Sequence, residues 1–421
     1  MSPTNGTFTL INADRLWGTL MEMACIGAGK AGGSNRQALT DADRDGRDLF
    51  VRWAREAGCS IAIDEVGNIF ARMDGRDPSL PPILSGSHLD TQATGGRFDG
   101  VFGVLAALEA VRVIAEQGIE HDHPIEVVCW TNEEGCRFAP AMLGSGVVSG
   151  VYDTEFAYAV VDKDGASFGS ELERIGYRGE FPAARRAIAA AIEAHIEQGP
   201  ILEAEGKTIG VVTGIQGAYW LDIVLTGQSC HAGPTPMNMR RDPWRAASAI
   251  IAGALGIADQ YAPSARVTIG DMKAEPGSRN TVPERLTFPV DIRHPDASTL
   301  EEMVAKLRAL VERASVSARL EHEIKQIWHM PATRFDEQLV DLIEREAGEL
   351  GYSYQRIVSG AGHDSLHTAQ FAPTAMIFVP CEDGLSHNEA EAARYEDIAA
   401  GANVLLRTII RAAQNSQQQD S

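Results

Sequence analysis

Ile83-Leu84-Ser85-Gly86-Ser87-His88-Leu89-Asp90 is a short apolar run that stops at His-x-Asp. Its Pro82–Ser87 portion has the length and make-up of a buried strand. Residues 101–117 follow as a long, apolar-rich helix, and Ile125–Trp130 as a second strand. This β-α-β alternation predicts an α/β fold with a mainly parallel sheet covered by helices. Upstream, helical periodicity covers residues near 12–26 and 41–57, the second stretch opening after Thr40 as a cap. Ser60–Asp64 and Asn68–Arg72 flank Val66-Gly67 as a hairpin.

Between about 214 and 327 the texture changes. Strands at 218–226, 266–273, 285–293 and 319–327 and helices at 242–259 and 298–314 give the β-α-β-β-α-β order of a small ferredoxin-like α+β domain. A helix at 335–350, a strand at 374–379 and a helix at 396–413 then resume the first texture. The expected architecture is a catalytic domain in two parts, 1–213 and 328–421, interrupted by an inserted lid domain, 214–327. Gly214 and residues 327–330 are the candidate hinges.

The chain has 421 residues, 37 basic against 58 acidic, for a formal net charge of −21. With 44% apolar residues it has material for a large core, which excludes wholesale disorder. The acidic balance argues against nucleic acid or an anionic membrane as partner. No run of about 18 apolar residues predicts a membrane span. The opening MSPTNGTFTLINADRLWG lacks the pattern of a secretory leader. Cys25, Cys59, Cys129, Cys136, Cys230 and Cys381 are scattered, with no CxxC, so reduced thiols and a cytoplasmic location are expected. The tail QNSQQQDS reads as frayed.

In open α/β sheets ligands sit beyond the carboxyl ends of the strands. His88 and Asp90 stand at one such end, with Asp99 nine residues on in Gly95-Gly96-Arg97-Phe98-Asp99-Gly100. The strand Ile125–Trp130 ends in Thr131-Asn132-Glu133-Glu134-Gly135. His195-Ile196-Glu197-Gln198-Gly199-Pro200 and Leu385-Ser386-His387-Asn388-Glu389 supply two further approaches. Each fragment alone is ordinary: a lone His-x-Asp is usually structural, and Glu-Glu usually a solvated turn. Together they offer the imidazole–carboxylate mix expected for Zn²⁺ or Mn²⁺ and not for Ca²⁺ or Mg²⁺. Two cations sharing one carboxylate would activate water and polarise a carbonyl. A neighbouring Glu that is not a ligand could take and return the proton.

Three lookalikes are set aside. Gly165-Ala166-Ser167-Phe168-Gly169 matches GxSxG but follows a polar run, so Ser167 reads as a helix cap. Gly27-Ala28-Gly29-Lys30 resembles a phosphate loop, but Ala24 stands where its first Gly is required. His121 and His123 flank Asp122 in a loop and are expected to be exposed.

HLDT…GGRFDG, TNEEGCRF, HIEQGP, GQSCHAGPTPMNMRRD and LSHNE together resemble the N-carbamoyl-L-amino-acid hydrolase and β-ureidopropionase group. Allantoate amidohydrolases are near neighbours of that group, and all are related to the di-zinc aminoacylases and carboxypeptidases. The resemblance runs from about residue 80 to 390 and implies a di-metal, peptidase-like catalytic domain. It implies two divalent ions, Zn²⁺ first, with Mn²⁺, Co²⁺ or Ni²⁺ as alternatives. One ion would be held by His88 and His195, the other by Glu134 and His387, with Asp99 bridging and Asp90 orienting His88 through its carboxylate. Glu133 would be general base and acid, and His231 would stabilise the oxyanion, often from the partner subunit of a dimer. Arg293 would grip the substrate carboxylate, with Gln198, Asn280 and the backbone at Gly362 adding hydrogen bonds. The implied activity is hydrolysis of an N-carbamoyl group on an amino acid. Allantoate hydrolysis is the nearest alternative; an aminoacylase or peptidase, disfavoured by HIEQGP, and a metal-bearing scaffold without turnover are more distant.

Overall fold

The four strands that carry the predicted chemistry lie side by side at the centre of one sheet. In the computed structural model, which describes residues 9–414, the strands of this sheet are β1 (Ser60–Ile63), β2 (Ile69–Met73), β3 (Ile83–His88), β4 (Ile125–Trp130), β5 (Ala190–Ile196) and β6 (Ile209–Ile215), with later additions. After them come β7 (Gly217–Thr226), β8 (Cys230–His231), β9 (Arg266–Thr268), β10 (Lys273–Glu275), β11 (Thr281–Val282), β12 (Arg285–His294) and β13 (Glu321–Met330). The last three are β14 (Thr333–Arg334), β15 (Tyr354–Ser359) and β16 (Thr374–Val379). The order is β1-β2-β4-β3-β5-β16-β6-β14, with β15 also on β6. The centre β4-β3-β5-β16 is parallel, and β1, β2 and β6 join antiparallel. β3, β4, β5 and β16 are buried at every position, as a covered parallel sheet requires. The helices Val101–Gln117 and Tyr395–Ala413 pack on one another and against this centre. The Asp41–Glu56 helix is capped by Thr40, whose side chain accepts from the Asp43 N–H.

The chain divides into two compact units, one reaching Thr213 and resuming at Arg334, the other Gly214–Thr333. The second ends six residues beyond 327 because β13 continues to Met330, paired with β7 down to Ala218. Its sheet, β10-β12-β7-β13 with β9 also on β12, is antiparallel throughout. Alternate residues of β7 (Tyr219, Leu221, Ile223, Leu225) and β12 (Leu286, Phe288, Val290, Ile292) enter a core shared with the helices Pro243–Gln260 and Ala297–Ala318. The expected single strand 266–273 is broken into β9 and β10. Six residues from Thr268 to Lys273 stand against five from Thr287 to Asp291, so the ladder cannot run through.

Ser167 caps the short helix Phe168–Arg174, as its sequence suggests. The glycine-rich loop after residue 26 is spoken for: the Ala31 N–H donates to the Glu389 carboxylate of the same chain. His121 departs from expectation. It is buried, its Nδ1 2.7 Å from the His123 carbonyl, and half-buried His123 reaches the Pro81 carbonyl at 2.7 Å. The six cysteines are unpaired. Among the described residues no helix is long and apolar enough to cross a membrane. The tail beyond Gln414 lies outside the described residues.

Candidate active site

His88 ends β3 with its Nδ1 2.8 Å from the Asp90 carbonyl oxygen. A carbonyl only accepts, so Nδ1 carries the hydrogen and the Nε2 lone pair is turned into the site. That Nε2 lies 3.8 Å from Asp99 Oδ1 and 3.4 Å from Glu133 Oε2. On β5, His195 is fixed the same way, Nδ1 to the Ile196 carbonyl at 2.9 Å, with Nε2 3.3 Å from Asp99 Oδ1. The other oxygen of Asp99 is 3.5 Å from His387 Nε2, which is also 3.3 Å from Glu134 Oε2. One carboxylate thus touches two groups of donors, His88–Asp99–His195 and Asp99–Glu134–His387, each within 4.8 Å of one another. His387 holds a positive φ of 53°, and its half-exposed side chain marks the open side of the cluster.

The electrostatics fit a cation pair. Burial, reinforced by Asp364, Glu134, Asp90 and Asp99, pushes Glu133 well above the usual carboxylate range. Burial and the charges of Asp99 and Asp90 do the same to Glu134. Burial lowers His88 to about 4. It also opposes protonation of His195, but Asp99 outweighs it and raises that imidazole to about 9. Asp90, Asp99, Glu133 and Glu134 outnumber His88, His195 and His387 here, and such an excess of buried acidic groups is the condition a divalent cation relieves. The mix of nitrogen and oxygen donors suits Zn²⁺ and its neighbours in the transition series.

Asp90 acts by a different route from the one expected. Its backbone carbonyl, and not its carboxylate, orients His88; the carboxylate accepts the N–H groups of Glu133 and Glu134, each at 3.2 Å. Gln198, at φ 56°, donates its amide to Asp99 Oδ2 at 3.0 Å and to Ser386 Oγ at 3.1 Å. Glu391 is a contributor that sequence reasoning missed. It accepts the N–H groups of Phe98 and Asp99 at 2.9 and 3.2 Å and so fixes the loop that aims Asp99. A Cβ at Gly96 would fall 1.9 Å from the Glu391 carboxyl carbon, which accounts for one glycine of GGRFDG. The signal for Glu391 was its place four residues after His387. Glu193, also missed, is buried between the Ser87 and Ser365 hydroxyls, both at 2.6 Å. Gly362 precedes the single turn Ser365–Thr368, and buried His363 packs its ring 4.6 Å from that of His195.

His231, Asn280 and Arg293 belong to the second unit. His231 on β8 is opposite Thr281, its exposed ring accepting the Gly233 N–H at 3.1 Å. The Ala232 N–H donates to the Asn280 carbonyl at 2.8 Å. Arg293 holds Asp291 through Nε at 2.9 Å and Nη2 at 2.7 Å. His231 and Asn280 lie beyond the Arg285 end of β12, whereas Arg293 is near its far end. Arg285 and Arg293 are separated by about 26 Å of strand at 3.3 Å per residue.

Residues 84–411 match the Peptidase family M20/M25/M40. The chain belongs to this family. It is an amidohydrolase, and the family generally binds two divalent metals. It is 50% identical over 404 residues to the N-carbamoyl-L-amino-acid amidohydrolase of Rhizobium meliloti, covering 96% of this chain and 97% of that protein. The allantoate amidohydrolase of Bacillus subtilis is 33% identical, over 93% and 95% of the two chains. A crystal structure of a hydantoinase/carbamoylase family amidase from Burkholderia multivorans superposes with a TM-score of 0.93 at 51% identity, covering 97% and 99%.

Proposed function

We propose that this enzyme hydrolyses the N-carbamoyl group of an N-carbamoyl-L-amino acid or of N-carbamoyl-β-alanine. The observation that carries the reading is Asp99, set between two donor groups with Glu133 beside them, in a chain half identical to a named N-carbamoyl-L-amino-acid amidohydrolase. In this reading His88 and His195 would hold one divalent ion, Glu134 and His387 the other, and Asp99 would serve both, with Zn²⁺ the first choice. When bound, the ions supply Lewis acidity, polarising the ureido carbonyl and making water a stronger nucleophile.

Glu133 takes the proton of the attacking water and returns it to the amino-acid nitrogen as the C–N bond breaks. Its burial among carboxylates keeps it a good proton holder. The carbamate released decomposes to CO₂ and ammonia. Asp90 keeps Glu133 and Glu134 in place through their N–H groups. Arg293 binds the substrate carboxylate by exchanging Asp291 for it, as a guanidinium fork can. The Gly362 backbone and the Gln198 amide line the substrate, and Asn280 and His231 hydrogen-bond it, His231 at the oxyanion. A ureido acid is far shorter than the strand between Arg293 and the His231 end of its own unit. We therefore place His231 and Asn280 in the site of a partner copy, in a cytoplasmic homodimer joined through the inserted unit, which also serves as lid.

The test is ammonia release on N-carbamoyl-β-alanine, several N-carbamoyl-L-α-amino acids and allantoate, with and without EDTA. Chelator-sensitive turnover of the carbamoyl compounds is expected, and their ranking separates α from β substrates. Turnover of allantoate alone would reassign the substrate while keeping the centre. Silence on all three, with metal bound, would overturn the reading.

A further inference from the structure

Glu134 is gripped at both oxygens by one residue that none of the motifs above includes. The Gln92 N–H donates to Glu134 Oε1 at 3.1 Å, and the Gln92 side-chain amide donates to Oε2 at 2.7 Å. Oε2 is also the oxygen 3.3 Å from His387 Nε2, so one of its lone pairs is committed to Gln92 and the other faces the cluster. The backbone of Glu134 is separately anchored, its N–H on Asp90 at 3.2 Å. A backbone anchor leaves the side-chain torsions and the carboxylate plane free to turn, and two donors from Gln92 hold both oxygens in place. A primary amide can do this without cost to a cation. It neutralises none of the carboxylate charge, whereas an ammonium or guanidinium would compete with the ion for it. The turn around Gln92 is itself fixed, its carbonyl accepting the Gly95 N–H at 3.3 Å and the Thr91 hydroxyl at 3.0 Å.

We propose that Gln92 is a positioning residue for the Glu134–His387 ion and for that ion alone. The proposal rests on the reading of Glu134 as a ligand. Because the backbone N–H survives any substitution but proline, such a mutation removes only the amide arm, and half-buried Gln92 tolerates a change of side chain better than the core would.

The experiment measures Zn²⁺ affinity of the full chain by competition with a chromophoric chelator, together with apo-protein melting. Gln92→Leu is expected to weaken one of two ions by about 10–100-fold with unchanged apo melting. The loss should persist in a His88→Ala background and vanish in a His387→Ala background. Equal weakening of both ions, or wild-type affinity for both, would overturn the proposal. Gln92→Met, which keeps the length, replaces the leucine variant if that one does not fold. If the wild type takes up two ions but Glu134→Gln weakens neither, the ligand reading itself has failed, and this proposal falls with it.

Discussion

Gly100 shows how closely single residues are constrained around the centre. It opens the helix Val101–Gln117 at φ +68°, and a Cβ there would lie 2.3 Å from the His88 imidazole. Gly100→Ala should cost at least about 1 kcal/mol from the left-handed backbone alone and displace His88 as well. A lower melting temperature together with weaker metal uptake would bear this out; loss of stability with normal uptake would not. Glu133 makes the complementary prediction. Glu133→Gln keeps shape and removes the proton carrier proposed above, so kcat should fall by about 10²–10⁴ while two ions are still bound. Full activity with both ions present would remove Glu133 from the mechanism.

At the scale of an element, the single turn Ser365–Thr368, tied to Glu193 through the Ser365 hydroxyl, carries His367, which is buried and whose pKa burial lowers to about 4. Its ring lies 6.4 Å from that of Tyr152. The unfolded chain would titrate this histidine near 6.5. Between about pH 6.5 and 4 the unfolded state therefore takes up a proton that the folded state refuses, and stability falls as pH falls across that window. Above it His367 adds no slope. Melting temperature against pH should be flatter below 6.5 for His367→Gln, with an unchanged slope arguing against a neutral buried imidazole.

For the whole molecule, the parallel centre β4-β3-β5-β16 is the device that collects the site. Four strands far apart in sequence end on one edge, and the residues just past those ends are Asp90, Glu133, Glu134, Gln198 and, after β16, His387. The cluster concentrates buried acidic groups, so ions that bind the folded state and not the unfolded one should stabilise it substantially. At a thousandfold excess over Kd one such ion is worth about 4 kcal/mol. Chelation should lower the melting temperature reversibly, and Zn²⁺ should restore it; equal melting with and without chelator would count against a resident metal.

The sequence by itself determined the elements and the donor inventory. Periodicity placed the helices near 41–57 and 101–117 and the strands Ile125–Trp130 and 374–379, because buried apolar runs and capped amphipathic stretches are local signals. The residues at strand ends were legible for the same reason. Three things were settled only by tertiary structure. Strand breaks such as that between β9 and β10 depend on register against β12, which is a property of two segments and not of one. Burial of His121 came from its carbonyl partner and packing, which polarity in a loop does not reveal. The hydrogen bonds that aim the donors, Asp90 through its carbonyl, Glu391 on the Asp99 loop and Gln92 on Glu134, join residues from 2 to 293 positions apart. Local patterns name which groups could bind; only the folded backbone decides which atom of each one points at which neighbour.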